Sequence, residues 1–302
     1  MFTAGYTHGI VITFPHTMPE AVERLPWIFR GTNYLRYALN KLTGRETVMP
    51  VDLAGQSVSL NISSSREIRR AHALHHERSF IERICQHLTD KDVVYDIGAN
   101  IGVLSLLMAR HVNTAHVQLF SFEPEPRNYE KLVRNISLNK LQSSIDPQQL
   151  ALGTEQGTVE LHVRGTVGEG RHSIAESKGA TDSISVQLST CELFARQADA
   201  YPDLLKIDVE GAEGQVLAGL AGLLDTHPPR DIFLEVHSKG DSDNMPDGTK
   251  INDWFIKNNY DLVWQIERRS GEHRHYRHKS LPLSNPSGKI SAESRAVTEA
   301  SA

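Results

Sequence analysis

The 302-residue chain has few cysteines, no excess of basic charge and no long apolar segment. Its two cysteines, Cys85 and Cys191, stand far apart, which argues against a disulfide scaffold and predicts two reduced, packed thiols. The formal net charge of -5 provides no basic footprint, so we expect no nucleic-acid partner. No run approaches the roughly 18–20 apolar residues that span a bilayer, and no signal-peptide pattern opens the chain. These absences predict a cytoplasmic protein without a membrane span.

Strands alternate with helices from Val93 onward. The predicted strands cover residues 93–97, 118–122, 148–152, 204–209, 231–236 and 262–266, with a last edge strand at 275–278. Helices are predicted after most of them, over residues 103–111, 126–139, 213–224 and 251–258. This alternation predicts an α/β fold, a mainly parallel sheet with helices on both faces. In such a sheet, ligands bind beyond the carboxyl ends of the strands.

Three further segments surround this α/β pattern. Residues 1–75 are predicted to form an extension, with a helix over 21–42 interrupted by Pro26 and Gly31, and a hairpin of 48–51 with 57–62. A helix over 67–88 leads into the main domain, which we assign to residues 76–280. Strands at 158–163 and 183–188 form an added antiparallel pair with a mobile connector, 165–182. The polar tail 284–302 is predicted to be disordered.

The loop after the first strand reads DIGANIG, residues 96–102. Its glycines let the backbone approach a ligand closely, and the helix that follows presents free N–H groups. A pyrophosphate site would favour GxGxxG, which is missing here, so the loop suits the carboxylate and ammonium of a methionyl group. Glu123 ends the second strand, where a carboxylate accepts hydrogen bonds from ribose hydroxyls. Together the two features predict a nucleoside cofactor.

Two buried strands end in charged residues. Lys206 and Asp208 alternate along one strand, so they share a face and are expected to form an ion pair. Burying such charges is costly unless they are paired or used. Glu235 and His237 likewise share a face of the next strand, which places an imidazole beside Asp208 if the two strands are neighbours. The sequence therefore predicts a titratable cluster at this edge of the sheet.

No metal site is assigned from the sequence. The alternative that stays open is a divalent cation held by Asp208, Glu210 and His237, which would acidify a hydroxyl. Five other histidines lack a convincing set of partner ligands and are predicted at the surface: His75, His76, His273, His275 and His278.

Taken together, the motifs resemble the FkbM family of S-adenosylmethionine-dependent methyltransferases. The matching elements are VVYDIGANIG, FSFEPEPRNYEKLVRNISLN, LALG, LLKIDVEGAEGQVLAGL and IFLEVH, in that order over about residues 80–266. The resemblance implies a Rossmann-like class I methyltransferase fold with a seven-stranded sheet. It further implies S-adenosylmethionine as cofactor and methylation of a hydroxyl on a sugar, glycan or related natural product.

The resemblance also implies roles for particular residues. The methionyl side would be lined by Asp96, Gly98, Asn100 and Gly102. Glu123 would hold the ribose, and Ala151 and Leu152 would lie near the adenine. The acceptor would face Lys206, Asp208, Glu210 and His237. We take His237 as the first candidate base, with Asp208 either orienting it or serving as the base itself.

Three other functions remain open at this point. One is a nicotinamide-dependent oxidoreductase on a related sheet, against which the missing GxGxxG argues. Another is a non-catalytic protein that binds S-adenosylmethionine, against which the intact charged strand ends argue. The last is a methyltransferase acting on nitrogen. The acceptor's identity and the oligomeric state do not follow from the sequence.

Overall fold

The computed structural model describes residues 2–7, 10–14, 26–112, 117–163, 182–237, 243–268 and 271–280. The predicted disordered tail, 284–302, and the predicted mobile connector lie outside these residues, apart from Asp182 at the start of a strand. No helix among the described residues has the length and hydropathy that a membrane crossing requires.

In its described residues, the N-terminal segment contains two hairpins and three helices. In chain order its elements are β1 (Phe2–Thr7), β2 (Ile10–Phe14), α1 (Pro26–Leu42), β3 (Thr47–Leu53), β4 (Gln56–Ile62), α2 (Ser65–Ala73), a 3-10 turn (Leu74–Glu77) and α3 (Arg78–His87). The β3–β4 hairpin is confirmed, with longer strands than predicted. Of the helix predicted over 21–42, residues 21–25 lie outside the described residues, and α1 covers the rest, Pro26–Leu42, without a break at Gly31. Pro26 is tolerated because proline at the first helical position loses no hydrogen bond.

The remaining elements build the main domain. They are β5 (Val93–Ile97), α4 (Val103–His111), β6 (Gln118–Phe122), α5 (Pro126–Leu138), β7 (Ile145–Gln148), β8 (Ala151–Leu152), β9 (Gly157–Val163), β10 (Asp182–Ser189), α6 (Cys191–Ala198), β11 (Leu204–Ile207), α7 (Glu213–Ala218), a 3-10 turn (Ala221–Leu223), β12 (Asp231–His237), α8 (Ile251–Lys257), β13 (Tyr260–Arg268) and β14 (Gly271–His278). Among the described residues the central sheet has seven strands in the order β13-β14-β12-β11-β5-β6-β7. Strands β12, β11, β5, β6 and β7 run parallel, and β14 is antiparallel to both of its neighbours.

Each face of this sheet buries a separate hydrophobic layer. Val94, Leu204 and Phe233 point to the face covered by α3, α4, α5 and the β3–β4 hairpin. Their neighbours in sequence, such as Tyr95 and Leu205, point to the opposite face, which α6, α7 and α8 cover. The alternation follows from the period of two along a strand. The Rossmann-like α/β sheet with helices on both faces is thus confirmed, and both cysteines are free and buried.

The position of β14 contradicts one prediction. The strand expected at the edge, residues 275–278, instead pairs with β12 on one side and β13 on the other. His273, His275 and His278 are therefore buried, with exposed fractions of 1%, 0% and 8%, so their predicted surface location is wrong. His275 Nε2 lies 2.7 Å from Asp231 Oδ1, which partners the ring inside the sheet. His75 and His76 are exposed, as predicted.

Two other elements differ from prediction. The strand expected over residues 148–152 is divided, because β7 pairs with β6 whereas β8 pairs with β10 in a separate three-stranded sheet. Pro147 lies in β7, the edge strand, where a missing N–H is tolerated. The single helix expected over 67–88 is interrupted by the 3-10 turn, after which Phe80, Ile81 and Ile84 of α3 join the core.

The β3–β4 hairpin is hydrogen-bonded to the main domain by Asn135 of α5 and by Asn139, the residue that follows this helix. Asn135 Oδ1 accepts from the Asn61 N–H at 2.8 Å, and the Asn139 side chain bonds both backbone groups of Ser59. Residues on both sides of the predicted boundary near residue 75 pack into one core. This packing brings α2 to the carboxyl edge of the sheet, where the candidate site lies.

Candidate active site

The loop between β5 and α4 lies directly against the end of β11. Gly98 has a φ of +78°, and a Cβ built there would lie 1.8 Å from the backbone oxygen of Asp208, so a side chain is excluded. The N–H groups of Gly98 and Ala99 both donate to the Phe122 carbonyl, at 3.0 and 2.9 Å. The loop therefore connects the ends of three neighbouring strands, β11, β5 and β6.

Glu123 holds this loop from the end of β6. Its Oε2 accepts from the Asn100 N–H at 2.8 Å, and its Oε1 accepts from the Glu125 N–H at 3.0 Å. Burial raises the pKa of Glu123 to about 7, and hydrogen bonds from these two N–H groups and from the Asn128 side chain only partly oppose the rise. A carboxylate has about four acceptor sites, so these donors do not use its full capacity. The arrangement suits a residue that accepts hydrogen bonds from hydroxyl groups in its ionised form.

A first cleft of about 650 Å³ opens beside Glu123. Seven of the predicted site residues line it: Gly98, Asn100, Glu123, Ala151, Leu152, Asp208 and Glu210. The eight other lining residues were not among the predicted site residues: Arg70, Ile97, Phe122, Pro124, Asn128, Leu150, Leu161 and Val209. The lining therefore combines the Glu123 carboxylate with apolar residues of β8 and β9.

A second cleft of about 740 Å³ adjoins the first. One wall is the sheet edge, with Lys206, Asp208 and Glu235, and the facing wall comes from the N-terminal segment, including Leu74 and Phe80. The residues common to both clefts are Arg70, Gly98, Asn100 and Asp208. Asp208 thus stands at the boundary between two adjoining cavities.

Asp96 and Lys206 form a buried pair beneath the loop. Lys206 Nζ lies 3.0 Å from Asp96 Oδ1 and donates to the Gly98 carbonyl at 2.9 Å. The predicted contact of Lys206 with Asp208 is present at 3.8 Å, but Asp96 is the closer partner. Ser105 Oγ donates to the other oxygen of Asp96 at 2.5 Å. Among the described residues, Asp96 and Gly102 were predicted to line the methionyl side, but neither lines a cleft. Gly102 belongs to the loop itself, and Asp96 lies beneath it.

His237 is surrounded by carboxylates. Its Nδ1 lies 3.2 Å from Glu213 Oε1, and its Nε2 lies 3.4 Å from Glu210 Oε2, 3.8 Å from Glu235 Oε1 and 3.9 Å from Asp208 Oδ1. The ring lies behind Asp208, since in the described part of the chain Asp208 lines both clefts and His237 lines neither. The predicted neighbourhood of His237 and Asp208 is therefore present.

The charges of this cluster shift its proton affinities. Burial alone would lower the pKa of His237, but the hydrogen bond with Glu213 and the charges of Asp208 and Glu210 raise it to about 9. Burial and the nearby charge of Glu235 raise the pKa of Asp208 to about 8, against the opposing charges of Lys206 and His237. Near neutral pH the imidazole is therefore a cation beside an acid that releases its proton slightly above neutrality.

The same side chains have a geometry that suits a cation. Asp208, Glu210 and His237 each offer one ligand atom, and these atoms lie within 4.8 Å of one another. Glu210 also adopts a left-handed backbone with a φ of +52°, an uncommon conformation for a residue with a side chain. The divalent-cation alternative raised by the sequence is therefore compatible with the positions of these three residues.

Comparison with known proteins decides the family. Residues 96–262, more than half of the chain, match the model of the methyltransferase FkbM domain. The chain belongs to the FkbM methyltransferase family. All of the predicted site residues fall inside the matched segment, whereas Arg70 and the rest of the N-terminal wall fall outside it. The predicted family is thus confirmed, and with it the methyltransferase class.

Several curated relatives of this methyltransferase are known. It is 24% identical over 260 residues to the hexuronic acid methyltransferase AglP of Haloferax volcanii, covering 85% of this chain and 100% of that protein. It is 28% identical over 175 residues to the 31-O-demethyl-FK506 methyltransferase FkbM of Streptomyces tacrolimicus, covering 48% of this chain and 65% of that protein. A crystal structure of a methyltransferase FkbM from Methylobacillus flagellatus aligns with a TM-score of 0.44 at 13% identity, over 71% of this chain and 56% of that one.

Two cleft residues that the sequence analysis did not select differ in whether a sequence motif indicated them. Asn128 stands in the first turn of α5, five residues after Glu123, so its place beside the cleft was open to inference from the motif. Arg70 offered no such signal, because it is one of three arginines in the α2 sequence SREIRRAHA. Only the packing of the N-terminal segment against the sheet brings Arg70 to the site.

Proposed function

We propose that this FkbM-family methyltransferase transfers a methyl group from S-adenosylmethionine to a hydroxyl oxygen of a sugar, glycan or related natural product. The observation that carries the proposal is the position of Asp208, a titratable carboxylate at the boundary of two adjoining clefts. A methyl donor and an acceptor must meet at one point, and a group that accepts a proton must stand there.

The first cleft has the chemistry that an adenosyl cofactor requires. Ribose hydroxyls would donate to Glu123, and the adenine would lie against the apolar wall near Ala151 and Leu152. The methionyl end would then extend along Gly98 and Asn100 toward Asp208. We therefore assign the first cleft to the cofactor and the second to the acceptor.

The names of two relatives guide the choice of acceptor, one toward sugars and the other toward oxygen. One is named for a hexuronic acid and the other for a 31-O-demethyl product. The hexuronic acid methyltransferase aligns over its entire length and over most of this chain, including residues outside the family domain. We therefore place sugars first among the acceptors to be tested.

The reaction is an in-line displacement at the methyl carbon. Bound S-adenosylmethionine would supply the methyl group, which would leave sulfur for the acceptor oxygen, and the hydroxyl proton would pass to an Asp208 oxygen. The products are a methyl ether and S-adenosylhomocysteine. Alignment of the reactants contributes up to roughly 7–11 kcal/mol in well-oriented reactions, and a general base typically adds about 10²–10⁴-fold. His237, first considered as the base, acts here as a positioning residue whose positive charge lowers the pKa of Asp208 and so favours its ionised form.

One alternative rests on the geometry of Asp208, Glu210 and His237. A divalent cation held by these side chains would bind the acceptor oxygen and acidify its hydroxyl. Dialysis against a chelator separates the two mechanisms, because activity independent of added cations supports Asp208 as the base. Loss of activity that Mn²⁺ or Mg²⁺ restores, with an electron paramagnetic resonance signal from bound Mn²⁺, supports the cation.

The cofactor assignment is tested by calorimetric titration. S-adenosylhomocysteine is titrated into the protein, with NAD as a parallel ligand. Binding of S-adenosylhomocysteine without binding of NAD supports the proposal, and binding of NAD alone would favour an oxidoreductase. A panel of hydroxyl acceptors with methyl-labelled S-adenosylmethionine then distinguishes an enzyme from a protein that only binds the cofactor.

A further inference from the structure

Arg70 occupies a special position among the basic residues near the site. It lies on α2 and lines both clefts, together with Gly98, Asn100 and Asp208. It is also outside the family-matched segment that contains every other residue of the proposed cofactor site. The guanidinium therefore reaches the region where the two clefts meet from a separate part of the chain.

The other charged side chains in the second cleft have close partners of opposite charge. Lys206 Nζ lies 3.0 Å from Asp96. The carboxylates of this cleft are paired in turn: Glu67 with Lys131 at 3.2 Å, Glu77 with Arg268 at 3.5 Å, and Glu235 with Arg268 at 2.9 Å. Among the described residues no carboxylate lies within 4.0 Å of the Arg70 guanidinium. The positive charge of Arg70 lowers the pKa of Glu210, against the larger effect of burial, which raises it.

The proposed cofactor contains one carboxylate that requires a basic partner. The methionyl end carries this group and would extend past Gly98 and Asn100. Lys206 lines only the second cleft and is committed to Asp96, so Arg70 is the basic side chain that lines the first cleft in the described part of the chain. Arginine is also suited to this task, since its planar fork binds a carboxylate through two parallel hydrogen bonds.

Building on the proposed function, we propose that Arg70 binds the methionyl carboxylate of S-adenosylmethionine. The cofactor site then consists of two parts of the chain, the family domain and α2 of the N-terminal segment. Holding both ends of the cofactor, the ribose at Glu123 and the carboxylate at Arg70, fixes the sulfonium between them and directs the methyl group toward Asp208.

The test compares two ligands that differ at the methionyl end. S-adenosylhomocysteine has the carboxylate, whereas 5′-methylthioadenosine keeps the nucleoside and sulfur but lacks the amino-acid end. Each is titrated into the wild-type protein, Arg70→Met, Arg70→Lys and the matched control Arg69→Met, whose exposed residue lies on the same helix and lines neither cleft. Thermal unfolding of each variant establishes that it is folded.

Arg70→Met is expected to weaken S-adenosylhomocysteine binding by about 10- to 100-fold, the usual loss for a hydrogen-bonded charged group. Binding of 5′-methylthioadenosine should change less than about twofold, because it has no carboxylate for Arg70 to contact. Arg70→Lys should show an intermediate loss, since it keeps the charge without the fork. Arg69→Met should bind both ligands as the wild type does.

Three outcomes would overturn the assignment. Equal losses for both ligands would show that Arg70 only shapes the cleft. Unchanged S-adenosylhomocysteine binding, with a raised KM confined to acceptors that carry a carboxylate, would show that Arg70 binds the acceptor instead. Failure of the wild-type protein to bind either ligand would reject the proposed function itself, an outcome that is distinct from a defect of the Arg70 variants.

Discussion

Cofactor affinity should depend on pH through Glu123. Burial raises the pKa of this carboxyl to about 7, and ribose hydroxyls donate hydrogen bonds to its ionised form. The acid loses its proton as the pH rises, so affinity should rise with it. With a pKa of about 7, about one-eleventh of the carboxyl is ionised at pH 6 and about ten-elevenths at pH 8. If only the ionised form binds, affinity for S-adenosylhomocysteine should increase about tenfold between these values.

Calorimetry at pH 6, 7 and 8 measures this change. Glu123→Gln should bind about 10- to 100-fold more weakly at pH 8 and lose the tenfold pH dependence, because its amide does not ionise. Asp208→Asn serves as the control, since it removes the other cleft carboxyl that titrates close to this range and should keep the slope. A wild-type affinity that is flat from pH 6 to 8, or a slope that persists in Glu123→Gln, would refute the reasoning.

Five further variants examine the loop, the base and the opposite end of the sheet. Gly55→Ala, with a φ of +75° and no atom within 4 Å of its Cβ, should cost only backbone strain of about 1–2 kcal/mol and leave S-adenosylhomocysteine binding unchanged. Gly98→Ala should abolish this binding and reduce the free energy of unfolding by more than Gly55→Ala does, because its Cβ would also overlap the backbone of Asp208. Equal effects of the two variants would contradict the contact with β11. Asp208→Asn should reduce kcat by about 10²–10⁴-fold. His237→Gln should move the alkaline rise in activity to higher pH, because the lost positive charge held the pKa of Asp208 down. A pH profile that does not move would count against the interaction of His237 with Asp208. Asp231→Asn should reduce the free energy of unfolding by about 3–5 kcal/mol in chemical denaturation while leaving S-adenosylhomocysteine affinity unchanged, and a selective loss of binding would be the contrary result.

Most of the central sheet was predictable because its strands are short apolar runs with turns at both ends. Val93–Ile97 and Gln118–Phe122 were predicted with the bounds that the structure shows. Each is buried on both faces, so its composition alone marks it as a strand of a covered parallel sheet.

The failures concern pairing between distant parts of the chain. Nothing local distinguishes an edge strand from one that inserts between two others, as β14 does between β12 and β13. The burial of His273, His275 and His278 depends on that insertion and on partners such as Asp231. In residues 145–152, the division into β7 and β8 depends on which neighbour each half meets, β6 or β10.

The candidate site shows the same distinction. Gly98, Glu123 and Asp208 stand at strand ends within motifs, and parallel topology brings such ends to one edge. The sequence could not tell that Asp96 would point beneath the loop to Lys206, or that His237 would stand behind Asp208, because both depend on side-chain packing across strands. Arg70 could not be predicted for a different reason, since its position at the clefts depends on how the N-terminal segment packs against the sheet.

The most direct test of the account is transfer of a labelled methyl group. The protein is incubated with S-adenosylmethionine carrying a ¹³C methyl group and a panel of uronic acid, neutral sugar and amine acceptors, and the products are analysed by nuclear magnetic resonance and mass spectrometry. We predict label on a hydroxyl oxygen of a sugar, one S-adenosylhomocysteine formed per methyl transferred, and loss of both in Asp208→Asn. Label on nitrogen alone, or undiminished transfer by Asp208→Asn, would contradict this prediction.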